Sequence, residues 1–150
     1  MSKIKEALSS AMLHILNQRI DESKAAIDSA IESRNTATKS SAGDKHETGR
    51  ALMQIEIDNQ KKQVANSILL KSTLAQIPLD TNTHTIDFGS LVETSQGFFY
   101  LSVSLGKVEL SGGVYFTVSP STPLAQALIG AKLGDTITFQ NRSYEILSIE

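Results

Sequence analysis

The apolar positions in the first half of the chain repeat with the period of an α-helix. No proline or glycine interrupts residues 3–38 or residues 50–77. In the first of these ranges, apolar or small residues recur at alternating steps of three and four: Leu13, Leu16, Ile20, Ser23, Ile27 and Ala30. The second range has a weaker seam, made by Met53, Ile57, Gln60, Val64 and Ile68. Such seams are typical of helices that pack along one partner, so residues 1–78 are predicted to form a long antiparallel helical hairpin, a coiled coil.

A polar break at residues 40–49 separates the two helical ranges and is predicted to become the tip of the hairpin. Gly43 suits the left-handed conformation that closes a turn. Asp44 then suits the N-cap of the second helix, and Glu47 has the spacing of a capping box. One interpretation is a helix cap worth about 1 kcal/mol and nothing more. The other is a functional acidic tip, which presents two carboxylates far from the rest of the chain.

The period changes from helical to alternating after Pro78, which ends the second helix. The predicted strands are residues 85–93, 98–104, 114–118, 136–139 and 144–149. A short helix is predicted to run through Ile129, capped by Ser121-Thr122-Pro123 with the proline at a favoured first-turn position. The predicted fold class is therefore α+β, in which a small, mainly antiparallel sheet with one short helix occupies residues 79–150.

Composition and charge narrow the range of partners and compartments. The absence of cysteine excludes disulfides and thiolate metal sites. Residues 1–78 hold 11 Lys and Arg against 9 Asp and Glu, whereas residues 79–150 hold 3 against 7. Neither part has the clustered cations of a nucleic-acid binder, so we expect a protein partner and no stable independent binding of nucleic acid. No secretory signal and no stretch of roughly 20 apolar residues is present, so we expect a cytoplasmic protein without a membrane partner.

Two segments carry a resemblance to a known family. Residues 118–135 contain Ser-Pro, then Ala-Leu-Ile-Gly and Gly-Asp at the spacing of a family block, and residues 144–147 match its closing strand. Residues 43–47, Gly-Asp-Lys-His-Glu, resemble the family's acidic tip. In this order the chain resembles the GreA/GreB transcript cleavage factors, which act in the secondary channel of bacterial RNA polymerase. The resemblance covers nearly the whole chain and implies that residues 79–150 form a domain like that of FK506-binding proteins (FKBP-like).

The resemblance also implies a function. It predicts a transcription elongation factor that binds RNA polymerase and stimulates cleavage of backtracked nascent RNA, without being an enzyme itself. Asp44 and Glu47 would be the catalytic tip carboxylates and would transiently share Mg²⁺ with the polymerase; the free protein would hold no cofactor. The residues matched to the polymerase-binding block are Ser119, Pro120, Pro123, Leu124, Lys132 and Asp135.

The tip departs from the family's usual sequence. There the aspartate is followed by Leu-Ser-Glu-Asn and soon by an aromatic residue. Here Lys45 and His46 intervene, Thr48 stands where the family has asparagine, and residues 49–51 supply no aromatic side chain. This departure leaves open a non-cleaving regulator or inhibitor that occupies the same channel. A folding helper that uses the FKBP-like domain is a further alternative, against which the absence of tryptophan speaks.

Overall fold

The computed structural model describes the backbone of residues 3–39 and 43–150, and the side chains of residues 3–36 and 47–150. The helices are α1 (Lys3–Lys39), α2 (Gly43–Ala75) and α3 (Pro123–Leu128). The strands are β1 (Leu91–Thr94), β2 (Gly97–Leu101), β3 (Gly106–Leu110), β4 (Gly113–Val118), β5 (Thr136–Phe139) and β6 (Arg142–Ile149). The fold class is α+β, as predicted, because two long helices precede a sheet that carries one short helix.

The chain forms two compact units. One, the hairpin unit, is His14–Lys71; the other, the sheet unit, combines Met1–Leu13 with Ser72–Glu150. The sheet unit therefore includes the first part of α1 and the last residues of α2. The division into domains at residues 78 and 79 stays a prediction, since compact packing does not establish which segments fold independently.

In the hairpin unit α1 follows the predicted heptad seam, but Leu13, the first predicted seam residue and part of the sheet unit, is 38% exposed. Leu16, Ile20 and Ala30 are buried there. In α2 the seam holds as far as Val64 and then departs from the prediction: Ser67 is buried, whereas Ile68 is 51% exposed. The physical reason is that residues of a heptad seam are separated by three and four residues in turn. The step from Gln60 to Val64 is four, so the next step is three and reaches position 67 instead of 68.

The sheet has six strands in the order β3-β4-β2-β1-β6-β5. All neighbouring strands are antiparallel except β2 and β4, which pair in parallel. Strand β3 was not predicted from the sequence. It forms the outer strand beyond β4, so that β4 returns to lie between β3 and β2. The sheet is thus mainly antiparallel, as predicted, with one parallel pair.

One face of the sheet, here called the α3 face, packs against the short helix. Phe99 lies at its centre, opposite Val92 of β1 and Phe116 of β4 in the strand register. Its ring lies 5.5 Å from the ring of Phe116 and 5.9 Å from that of Tyr144. Ala125 of α3 is fully buried in the same cluster. This cluster is the apolar core that orients α3 and the loops at its two ends.

The opposite face, here called the Tyr100 face, is covered by the helical parts of the sheet unit. Tyr100 is 0% exposed, and its hydroxyl lies 3.4 Å from the Oγ of Ser9 in α1. Burial raises the pKa of Tyr100, against the lowering effect of the Ser9 hydrogen bond. The buried apolar residues on and against this face are Leu8, Met12, Leu74, Ile77, Leu91, Val108 and Tyr115. The two helix ends are therefore part of the core that stabilises the sheet.

The strand predicted for residues 85–93 is shorter than expected. Its first part forms a turn, in which Ser90 N donates to Asp87 O, and only Leu91–Thr94 belongs to β1. Gly89 occupies this turn with φ +90, and a Cβ there would lie 2.8 Å from the carbonyl oxygen of Pro78. The positive φ and the close approach to Pro78 both require a glycine at this position. The turn at Gly89 is the reason why the strand begins only at Leu91.

The predicted strands 136–139 and 144–149 pair as a hairpin, and the second of them begins two residues earlier than predicted, at Arg142. Gln140 and Asn141 both have positive φ, whereas Arg142 already begins β6. Two consecutive residues with positive φ are typical of a two-residue hairpin turn.

Lys5 is a buried cation at the start of α1, with a side chain that is 1% exposed. Its Nζ donates to Thr81 Oγ1 at 2.8 Å and to Leu79 O at 3.2 Å. Burial lowers the pKa of Lys5 below its ordinary value of 10.5, an effect opposed by the charges of Glu150 and Asp80. Thr81 in turn donates to the carbonyl oxygen of Glu150 at 3.2 Å. This network joins the start of α1 to residues that follow α2.

The lowered pKa of Lys5 predicts a specific pH dependence of stability. Between the folded pKa and 10.5 the unfolded chain binds more protons than the folded chain, so the free energy of unfolding rises with pH. We expect the wild type to gain stability relative to Lys5→Met across this window, since methionine keeps the length without the charge. Urea unfolding of both proteins at a series of pH values measures the difference. If the free energies of unfolding of the two proteins changed equally with pH, the lowered pKa of Lys5 would be contradicted.

Candidate functional site

The two predicted tip carboxylates lie at the start of α2, next to the connection from α1. The helix begins at Gly43, so Asp44 is in its first turn and Glu47 follows three residues later. Residues three apart on an α-helix are neighbours on one side, with Cβ atoms about 5–6 Å apart. The side chain of Glu47 is exposed, and that of Asp44 is outside the described side chains. The helical backbone thus places both residues on one side of the same helix end.

The predicted capping position is wrong by at least one residue. Asp44 was expected to precede the helix as its N-cap, but Gly43 is already helical. Asp44 is therefore inside the first turn, where the exposed N–H groups and the helix dipole favour negative charge. Negative side chains are stabilised in this position without acting as the cap itself.

A polar contact joins the two helices of the hairpin unit near the tip. Arg34 Nη1 donates to Gln54 Oε1 at 2.7 Å, and Gln54 Nε2 donates to Asp58 Oδ1 at 3.1 Å. The predicted seam of α1 ends at Ala30 and does not include Arg34, whereas the side chain of Arg34 is half-buried. The missed signal is its spacing, because Arg34 follows the buried Ala30 by four residues and continues the seam. The antiparallel helices are therefore joined by charge-assisted hydrogen bonding where the apolar seam ends.

The two acidic residues of the tip are of the kind that Mg²⁺ prefers. Mg²⁺ binds oxygen ligands and keeps several waters, typically through one or two carboxylates together with substrate phosphates. Asp44 and Glu47 supply two carboxylates from one side of a helix. Among the described side chains, which do not include that of Asp44, no group of three or more His, Asp or Glu residues is arranged to hold a metal. Two carboxylates are compatible with Mg²⁺ in number and type.

Further cations and a histidine surround the acidic pair in sequence. Arg50, one turn after Glu47, is exposed. The side chains of Lys39, Lys45 and His46 are outside those that the structure describes. No salt bridge involves Glu47 or Arg50 among the described groups, so Glu47 remains accessible to a partner.

The residues predicted to bind polymerase flank α3 on both sides. Thr122 accepts from Ala125 N as the cap of α3, and its own hydroxyl donates to Ser119 O at 2.8 Å. Pro123 is the exposed first residue of the helix, and Leu124 packs against the core cluster. The pattern at residues 119–124 therefore has a structural role as a helix start in addition to any role in binding.

Lys132 and Asp135 belong to a turn after α3. Asp135 Oδ2 accepts from the backbone N–H of Lys132 at 2.9 Å, and Asp135 N donates to Lys132 O at 3.0 Å. Both side chains are exposed. The aspartate thus closes the turn, while the ammonium group of the lysine stays accessible.

Comparisons with known proteins do not assign the chain to a family. No family model matches it, and no match was found among the curated protein sequences. None of the helices within residues 3–39 and 43–150 is long and apolar enough to cross a membrane. The GreA/GreB resemblance therefore stays a prediction that depends on the sequence blocks described above.

Proposed function

We propose that this chain is a transcription elongation factor of the GreA/GreB type. It binds RNA polymerase, inserts its helical hairpin into the secondary channel and stimulates cleavage of backtracked RNA. The observation that supports this proposal best is the position of Asp44 and Glu47 on one side of the first turns of α2, with Glu47 exposed. A pair of carboxylates at the end of a narrow hairpin suits delivery into a catalytic centre that belongs to another protein.

The chemistry of the proposal follows from the ligand set. Mg²⁺ bound between the polymerase and the tip would supply water activation and charge stabilisation for attack on a phosphodiester. Asp44 and Glu47 contribute oxygen ligands and negative charge from one side of the same helix. Two carboxylates are too few to hold Mg²⁺ tightly by themselves. The factor therefore completes an active site and is not an enzyme alone.

The sheet unit contributes the docking surface in this proposal. Ser119, Pro120, Pro123, Leu124, Lys132 and Asp135 are the proposed polymerase-binding residues. The exposure of Pro123, Lys132 and Asp135 at the two ends of α3 supports this role, because the side chains are accessible on a rigid frame. Leu124 contributes chiefly by fixing the frame, since it packs against the core.

The direct test is transcript cleavage in stalled, backtracked elongation complexes. We expect the full chain to shorten the transcripts at least tenfold faster than the polymerase alone. Equal cleavage rates with and without the protein, at concentrations that saturate its binding to polymerase, would contradict the proposal.

A second candidate function is a non-cleaving regulator of the same channel. The observation that favours it is the tip sequence, in which Lys45 and His46 separate the two acidic residues and no aromatic residue follows through Ala51. This candidate predicts competition with a cleavage factor for polymerase and altered RNA synthesis without shortened transcripts. The cleavage assay above, repeated in the presence of a cleavage factor, separates the two functions.

A further inference from the structure

Strand β5 is one of the two outer strands of the sheet and pairs with β6 on one side only. Just before β5, Asp135 O accepts from Ile146 N at 2.9 Å, so the carbonyl group of Asp135 faces β6. Backbone groups alternate between the two sides of a strand, and those of Thr136 and Thr138 therefore face away from β6. None of the described residues forms a hydrogen bond with these outward groups. The edge of β5 presents a row of unpaired donors and acceptors.

The other outer strand, β3, carries charged residues that disfavour pairing with another chain, and β5 carries none. Its outward positions carry Lys107 and Glu109, whose charged groups lie 3.6 Å apart and are largely exposed. Charged residues on an outer strand are a common protection against pairing with other chains. The residues of β5, Thr-Ile-Thr-Phe, carry no charge and are all β-branched or aromatic. The two edges of one sheet therefore differ in their capacity to accept another strand.

The two faces beside β5 define the side chains that an added strand would carry. On the α3 face, Ile137 and Phe139 are half-buried against the core cluster and would be covered further by apolar side chains. On the Tyr100 face, Thr136 pairs with the exposed Glu145. Basic side chains on this face would complement the carboxylate of Glu145. The positive charge of Arg142 does not repel these basic side chains on the Tyr100 face, because Arg142 pairs with Phe139 on the α3 face.

The short length of β5 favours an extended peptide segment over a second copy of the chain as the partner that pairs with its edge. Four residues of strand span about 13 Å. Pairing of two such strands buries far less than the roughly 800 Å² per partner of a stable interface. A longer extended segment gains backbone hydrogen bonds from β5 and side-chain contacts on both faces.

We infer that the outer edge of β5 binds an extended segment of a partner protein, in which apolar and basic residues alternate. The segment adds a seventh strand to the sheet, with its apolar side chains beside Ile137 and Phe139 and its basic side chains on the face of Glu145. Strand addition of this kind obtains affinity from the backbone and specificity from the alternating side chains. The inference does not depend on the proposed function of the tip.

The test uses the full chain and a fluorescein-labelled octapeptide of alternating valine and lysine, titrated by fluorescence anisotropy. Thr138→Pro removes the outward N–H, and proline is tolerated on an outer strand where that group faces solvent. We expect at least tenfold weaker binding to this variant. Lys107→Pro makes the same change on the edge of β3 and is expected to leave binding unchanged. Thermal unfolding of each variant checks that it is folded.

Two further peptides keep the test informative if Thr138→Pro fails to fold. An octapeptide that is N-methylated at alternate residues lacks the donors for strand pairing and is expected to bind the wild type at least tenfold more weakly. A valine–glutamate octapeptide is expected to bind more weakly as well, because its carboxylates would be repelled by Glu145. The inference is overturned if the wild type does not bind the lysine peptide or if neither backbone change weakens binding. It is also overturned if β5 instead mediates a dimer that Thr138→Pro abolishes.

Discussion

Replacing both tip carboxylates, in the variant Asp44→Asn/Glu47→Gln, is expected to reduce the stimulation of transcript cleavage by about 100-fold or more. The amides keep the size of the side chains but remove the two negative charges that would help to hold Mg²⁺. Loss of one preorganised group that stabilises a transition state typically costs 10²–10³ in rate, and each factor of ten corresponds to about 1.4 kcal/mol. The measurement is the cleavage rate in backtracked complexes at a saturating concentration of each protein.

A matched control for this variant lies on the other helix of the hairpin unit. Asp28 of α1 is exposed, and Asp28→Asn removes a carboxylate without changing the tip. We expect this variant to stimulate cleavage like the wild type. Both variants are expected to bind polymerase equally well, because the proposed docking residues lie in the sheet unit. If Asp44→Asn/Glu47→Gln stimulated cleavage as strongly as the wild type, the role of the acidic pair would be contradicted. If Asp28→Asn lost as much stimulation as that variant, the loss would reflect the net charge of the hairpin and not the position of the tip carboxylates.

Replacing Tyr100 by alanine is expected to cause the largest loss of stability in the sheet unit. Tyr100 is among the largest fully buried side chains, and it lies between the sheet and the first part of α1. Large-to-small changes of aromatic core residues cost about 3–5 kcal/mol, which is a large share of the stability of a small domain. Thermal or urea unfolding, followed by circular dichroism, measures the change.

Tyr100→Phe separates the ring of this residue from its hydroxyl. The Ser9 contact at 3.4 Å is a long hydrogen bond, so we expect its removal to cost no more than about 1 kcal/mol. A loss in Tyr100→Phe as large as that in Tyr100→Ala would show that the polar contact, and not the packing of the ring, stabilises this face. A loss below about 1 kcal/mol in Tyr100→Ala would contradict the described core.

The helical part of the fold could be predicted because one physical rule dominates it. Packing along a single partner imposes the heptad period, and the period was visible from Leu16 to Ala30. The prediction was wrong where polar residues occupy the seam. Near the start of α1 the apolar Ile4 is 39% exposed, whereas its charged neighbour Lys5 is buried. A buried lysine is favourable only because Leu79 and Thr81 supply hydrogen-bond acceptors, and nothing in the local pattern reveals partners so distant in the chain.

The sheet was harder to predict because its strands are short and its partners are not adjacent in sequence. Strand β3 alternates polar and apolar residues only over Lys107–Leu110, a run too short to indicate a strand by itself. The parallel pairing of β2 with β4 follows from the insertion of β4 between β2 and β3, which only the long-range topology determines. By contrast, the start of α3 was predicted correctly because Thr122 and Pro123 form a local cap with a local physical cause.

The candidate site was predicted from a resemblance and not from chemical geometry. A Gly-Asp-x-x-Glu spacing is compatible with an ordinary helix start, and the helical backbone from Gly43 onward satisfies that interpretation too. What the structure adds is that Asp44 and Glu47 belong to one side of one helix end and that Glu47 is exposed. These two facts are necessary for a shared metal site but do not require one.

The dependence of transcript cleavage on Mg²⁺ concentration, measured in backtracked complexes with and without this protein, tests the central claim most directly. If the tip carboxylates help to hold a metal ion in the catalytic centre of the polymerase, the wild type lowers the Mg²⁺ concentration needed for half-maximal cleavage, and Asp44→Asn/Glu47→Gln does not. An identical Mg²⁺ dependence for the polymerase alone, the wild type and the variant would contradict the claim.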